Sequence, residues 1–159
     1  MIIMAIYSSE NSCFFERKKH TTPMTMPHAH YHDTHELYYL KKGKTKYFIG
    51  NEIFVLNPGD MVFIPKFAFH KTDNGERTDV ERLRFSFDDG FVGTDFQKYI
   101  DELKNKRFIR IPPEKQDELK SIIERLESEG IKKQENYDEM QRLCFMQILI
   151  LISRYGRLN

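Results

Sequence analysis

The chain has 159 residues, 40% of them apolar and 13% aromatic, enough for one packed domain and too structured a composition for a disordered chain. Twenty-five basic against 24 acidic residues leave a net charge of +1. That balance argues against a nucleic-acid-binding surface, which needs a basic excess or a basic stripe. The start, MIIMAIYSS, has no cationic segment ahead of a long apolar core, and the longest apolar run, CFMQILILI, is too short to span a bilayer. A soluble, cytoplasmic protein is expected, with Cys13 and Cys144 as reduced thiols because they form no paired motif.

Up to about residue 90 the sequence reads as short strands separated by turn signals. HELYYL (35–40) is followed by KTKYFI (44–49), with Lys42-Gly43 between them. GNE at 50–52 turns the chain into IFVL. NPGD at 57–60 is a tight turn in which Pro58 presets one dihedral angle and Gly59 takes a positive one. MVFIP (61–65) is a further strand closed by Pro65, TDNGER (72–77) reads as a loop, and VERLRFSF (80–87) alternates with period two. Strands this short and this closely spaced predict a sandwich or barrel.

After residue 93 the apolar period lengthens. TDFQKYIDELKNK (94–106) puts Phe96, Ile100 and Leu103 on one helical face. RFIRI (107–111) reads as a short strand. PPEKQDELKSIIERLESEG (112–130) is an amphipathic helix opened by Pro112 and Pro113 and closed by Gly130. A final helix runs from 137 to 155. The predicted fold is mainly β with α: a barrel over 1–93 and two to three C-terminal helices over 94–159, packed as one unit.

HAHYHDTHE (28–36) carries the chemistry. On an unbroken strand His28, His30, His32 and Glu36 point the same way, His35 points the other way, and Tyr38 and Leu40 continue the first face. Imidazoles and a carboxylate converging from one strand supply most of a transition-metal coordination shell. A further ligand has to come from His20 or His70, the other histidines, and His70 follows the strand that ends at Pro65. The plainer alternative is a set of hydrogen-bonded histidines. Tyr47, Phe48, Phe54, Phe63, Phe85 and Phe87 are expected mostly in the core.

The spacing His30-x-His32, three residues, Glu36, six residues, Gly43 resembles the first cupin motif. Gly59, five residues, Pro65, then His70, three residues, Asn74 resembles the second. The resemblance implies a cupin jelly roll. In metal-binding cupins the residues matching His30, His32, Glu36 and His70 are the ligands, and a divalent transition metal (Zn, Ni, Fe or Mn) is the cofactor this implies. One position departs from the pattern: Phe67 stands where the family usually has a small glycine, which is expected to crowd the turn presenting His70.

The strand pattern together with RLRFSFDD and helices ending in LILISRYG resembles the N-terminal sensing and dimerisation domain of AraC-type transcription regulators over nearly the whole chain. The resemblance implies a small-molecule effector inside the barrel, a homodimer through the last helix, and DNA binding only through a C-terminal domain not seen in this chain, which shows no helix-turn-helix pattern. The expected effector contacts are Tyr38, Arg84 and His28. Arg84 suits an anionic or hydroxylated ligand if its face of VERLRFSF is the lumen, and is solvent-facing otherwise. YDEMQRLCFMQILILISRY is apolar nearly all round, so it is expected either to be enclosed by its own chain or to pack on a second copy. The rival class is a metal-dependent cupin oxygenase or isomerase, for which the sequence offers no acid–base pair beyond the candidate ligands.

Overall fold

The structure is a computed structural model and describes residues 1–8 and 11–156. The strands are β1 (Ile2–Ser8), β2 (Asn11–His20), β3 (Met24–Thr25), β4 (His35–Lys42), β5 (Thr45–Ile49), β6 (Glu52–Leu56), β7 (Asp60–Ile64), β8 (His70–Gly75), β9 (Val80–Phe87) and β10 (Phe108–Arg110). The α-helices are α1 (Asp89–Val92), α2 (Gln97–Asn105), α3 (Gln116–Lys132) and α4 (Tyr137–Tyr155). A six-stranded sheet in the order β1-β2-β9-β4-β7-β10 faces a four-stranded sheet in the order β3-β8-β5-β6, and every strand pair is antiparallel. This is the expected cupin barrel with helices following it.

At β4 the large sheet is covered on both faces, so the strand is buried from His35 through Leu40 instead of alternating with solvent. Its even positions, Tyr38 and Leu40, join Tyr47, Ile49, Leu56, Val62 and Ile64 inside the barrel. Its odd positions, Leu37 and Tyr39, face the helices with Phe15, Phe63, Phe85 and Phe87. Phe145 of α4 packs into that aromatic layer, with ring centroids 5.0 Å from Phe85 and 4.9 Å from Phe87. The segment 94–159 also lends the barrel its outermost strand, since β10 pairs with β7.

Several expectations need correction. Residues 28–34 are not a strand; the expected unbroken strand begins only at His35, and His30 makes an isolated bridge. TDNGER is not a loop throughout, because β8 continues to Gly75. Asn74 Oδ1 accepts there from the Thr45 hydroxyl at 2.7 Å, while its Nδ2 has no partner among the described residues. Gly130 does not close its helix. The helix runs on to Lys132 and ends with Lys133 in the left-handed region. Gly130 instead lies where Gln141 and Met4 pack so closely that a Cβ would collide with both. The turn at NPGD is as expected, with Gly59 at φ 96°. Both cysteines are free and buried.

The final helix is enclosed largely by its own chain. Cys144, Phe145, Met146, Ile148, Leu149, Leu151 and Ile152 are all buried against the sheet, α3 and α2. Its apolar circumference therefore does not by itself demand a partner, although Leu143 remains 54% exposed. Among the described residues no helix is long and apolar enough to cross a membrane.

His35, fully buried, locks the barrel to α1. Its Nε2–H donates to Asp89 Oδ1 at 2.7 Å, and its Nδ1 accepts the Lys66 amide at 3.1 Å, so the neutral ring has both nitrogens satisfied. Burial lowers its pKa below the usual 6.5 despite the Asp89 carboxylate. The native state then resists a proton that the unfolded chain accepts, so this contribution to stability is complete above pH 6.5 and is lost as pH falls below it. Urea midpoints at pH 7.5 and 5.5 should show the parent losing stability at the lower pH and His35→Leu losing less. The variant should also be weaker at pH 7.5 by about 1–3 kcal/mol, because the Lys66 amide loses its acceptor. Equal acid losses in the two proteins count against this assignment.

Candidate metal centre

Two short segments, 30–32 and 67–70, bring the histidines together. His30 and His70 exchange backbone hydrogen bonds, N–H to O at 3.0 Å and 2.9 Å, which pins the two residues face to face. The Phe67 amide donates to the His32 carbonyl at 2.7 Å and fixes the second loop against the first. Ring centroids are then 4.4 Å apart for His30 and His70, 4.7 Å for His30 and His32, and 5.4 Å for His32 and His70. One nitrogen of each ring lies within 4.8 Å of the others.

The electronic state of the rings suits a cation. His70 Nδ1–H donates to the Ala68 carbonyl at 2.9 Å, which leaves Nε2 with its lone pair free. That Nε2 is buried and has no hydrogen-bond partner among the described residues. Burial, and then the neighbouring His70 and His32, hold the His30 pKa below its usual value, so its ring is neutral at neutral pH. An unpartnered buried nitrogen beside two further imidazoles is the donor set for a divalent transition metal, so these residues fit the group.

Glu36 stands apart from the three rings. It is buried, its Oε2 lies 3.9 Å from His70 Nε2, and it accepts a short hydrogen bond from the Tyr47 hydroxyl. Arg84 Nε approaches its other oxygen at 3.6 Å. Burial and the Glu36 charge push the Tyr47 pKa well above 10, so the hydroxyl keeps its proton. Sequence spacing could not reveal Tyr47, because its only signal is an inward position on a strand of the facing sheet.

The other expected residues divide. Tyr38 is buried inside the barrel against Tyr47, with ring centroids 5.0 Å apart. Arg84 is on the lumen face, opposite Tyr38 in register, and bonds Glu16 at 3.2 Å. His28 is exposed and outside the cluster, because the chain around it is not the strand that would have aimed it inward. His35 points to the helix side, as the alternation requires.

Residues 20–83 match the family model described as Cupin domain. With the two facing antiparallel sheets, this match identifies the fold as a cupin fold. It is also 26% identical over 147 residues to the HTH-type transcriptional activator RhaR of Mannheimia succiniciproducens, an alignment that covers 92% of this chain and 52% of that protein. The chain thus spans about half the length of this curated relative. Among solved structures, a cupin protein of Bacteroides fragilis shares 18% identity over 50% of this chain and 67% of that one, with a TM-score of 0.41. An oxalate decarboxylase of Bacillus subtilis with Mn(II) centres shares 22% identity over 49% of this chain and 21% of that one, with a TM-score of 0.39. Overlaps this partial leave the reading of the site to its own geometry.

Phe67 does not crowd the cupin turn. It takes the glycine-like conformation, φ 68°, and turns its ring outward, 59% exposed. A left-handed residue other than glycine costs about 1–2 kcal/mol. Phe67→Gly should relieve that strain and return about 0.5–1 kcal/mol as chain entropy. Thermal melts should therefore show Phe67→Gly equal to the parent or more stable, and the β-branched Phe67→Val clearly less stable. A large loss in Phe67→Gly would mean that the ring has a packing role.

Proposed function

We propose that this chain is the sensing part of an AraC-type transcription regulator. A small effector binds at the mouth of the cupin barrel, beside a divalent transition metal held by His30, His32 and His70 with Glu36 as the fourth group. The observation that carries the reading is the buried, unpartnered Nε2 of His70 among the other imidazoles. The regulator assignment is supported by similarity along most of the chain to a transcriptional activator. DNA binding in this reading belongs to a part of the protein outside this chain. When bound, the metal supplies open coordination positions for ligand oxygens. Arg84 lies at the mouth and Tyr38 deeper in the lumen, while His28 has no part. An effector that favours one conformation of this domain shifts how the DNA-binding part is held.

The Glu36–Tyr47 pair favours a second reading, a metal-dependent cupin oxygenase or isomerase. It supplies the acid–base group that the sequence did not reveal. Similarity to a regulator along 92% of the chain favours the sensor.

Calorimetric titration with Ni²⁺ or Zn²⁺ tests the centre. The chain should take up one ion, His70→Ala should weaken binding at least about tenfold, and His28→Ala should leave it unchanged. Equal affinity in the parent and His70→Ala rules the centre out.

In the same reading the domain pairs with a second copy along the exposed edge of α4, where Leu143 stands in solvent. Leu149 and Leu151 are buried in the domain's own core, so charges there would unfold it without testing the interface. Light scattering at micromolar concentration should show a dimer for the parent and a monomer for Leu143→Glu. A monomeric parent removes pairing from the proposal.

A further inference from the structure

The helices pack on the large sheet, and the small sheet keeps its outer face open. Alternation assigns the residues of that face. Tyr47, Ile49, Phe54 and Leu56 point into the barrel, so Lys46, Phe48, Ile53 and Val55 point away from it. Ile53 is 61% exposed and Val55 42%. Register places Phe48 between Ile53 and Lys71. The apolar row continues at the rim of the barrel. The Phe69 carbonyl accepts the Gly50 amide at 2.9 Å, which holds Phe69 beside the turn between β5 and β6. Its ring meets Tyr31 edge-on with centroids 5.0 Å apart, and both rings are 56% exposed. Val55, Ile53, Phe48, Phe69 and Tyr31 thus form one oblique stripe. From β6 across β5 and β8 to the segment carrying Tyr31 it spans about 14 Å. Single exposed apolar residues are ordinary, but a contiguous stripe marks an interaction surface.

The charges beside the stripe select its partner. Lys46 and Lys71 stand on the same face, and Lys71 Nζ rests 5.1 Å from the centre of the Phe48 ring. Neither lysine makes a salt bridge among the described residues. Asp73, the one carboxylate at the outward strand positions of this sheet, feels both lysines but is already bonded to Thr25 Oγ1 at 2.8 Å and to the Gly75 amide at 2.7 Å. A partner with negative charge beside an apolar stripe is therefore complementary. A second copy of this chain brings the same lysines and meets like charge across a symmetric contact. A bilayer suits the face poorly, because Ile53, Val55 and Phe48 lie on the flat of a sheet and do not project into the acyl boundary. An amphipathic helix fits. A helix laid across a sheet face is how this chain covers its own large sheet. At 1.5 Å per residue, about ten residues of helix cover the stripe, with apolar side chains at i, i+3, i+4 and i+7 on it and acidic ones alongside reaching the lysines.

We propose that the outer face of the small sheet is a docking surface for an acidic amphipathic helix of a partner protein. The surface lies on the opposite side of the small sheet from the barrel lumen, so the proposal rests neither on the sensor reading nor on the metal centre.

The test is fluorescence anisotropy of labelled helical peptides of about 18 residues, titrated with the 159-residue chain. One peptide carries leucines at helical spacing flanked by glutamates, a second has lysines in place of the glutamates, and a third is a shuffled version of the first. The glutamate peptide should bind saturably, at least about tenfold more tightly than the other two, and more weakly as salt rises. Ile53→Thr with Val55→Thr, which keeps both positions β-branched, should weaken that binding about fivefold or more. Lys46→Glu with Lys71→Glu should reverse the preference toward the lysine peptide. Melting temperatures of both double variants should stay near the parent's, since all four side chains lie on the outside of the barrel. Equal binding of the three peptides, no binding of the glutamate peptide, or binding unmoved by either pair of substitutions overturns the proposal. Sedimentation with phosphatidylcholine vesicles containing about one-quarter phosphatidylglycerol, lost in Ile53→Thr with Val55→Thr, overturns it in favour of a membrane. A dimer that survives Leu143→Glu and is lost in Ile53→Thr with Val55→Thr overturns it in favour of a second copy.

Discussion

The pair of backbone hydrogen bonds between His30 and His70 is the constraint on which the site depends. The segment carrying His30 and His32 has no strand partner along most of its length, so its imidazoles would otherwise be free to wander. One two-residue bridge, with the Phe67-to-His32 bond beside it, ties that loop to the start of β8. Closing so long a loop costs chain entropy. The strands between the two points offset that cost, since β5 pairs with both β6 and β8 and holds the return path in register. The histidines meet because the small sheet holds β8 in place opposite the loop.

The large sheet supplies the other half of the site. It has two apolar faces with separate duties. The odd positions of β4 and β9 bind the helices through a layer of phenylalanines, and the even positions carry Glu36, Tyr38, Arg82 and Arg84 toward the lumen. Because the helix-side layer is closely packed, the lumen-side groups are presented from a rigid platform. Leu37 and Glu36, adjacent in sequence, therefore serve stability and chemistry respectively. β10 and Phe145, both from the helical part, complete the platform, so the barrel and its extension share one core.

Glu36 is where the two halves meet. Tyr47 donates to it, Arg84 approaches it and His70 faces it. In the proposed metal-bound state, a cation among the three imidazoles would draw on the same carboxylate that Tyr47 and Arg84 approach, and would link the centre to Arg84 through one side chain.

The sequence by itself determined the fold class, the turn at NPGD, the last helix at 137–155 and the candidacy of His30, His32 and His70, which the structure brings near one another. These are properties of local periodicity, turn chemistry and motif spacing, all written within short windows of chain. It did not expose β1 and β2 individually, though NSCFFERKKH alternates buried Cys13 and Phe15 with exposed Phe14. Only the tertiary structure decided that His28 lies outside the cluster, that Tyr47 holds Glu36, that Phe67 adopts a glycine-like turn without displacing His70, and that most of α4 is covered by its own chain. Each of those facts depends on which strands are neighbours and in what register. Pairing between distant segments is set by the closure of the whole barrel, which no local pattern encodes.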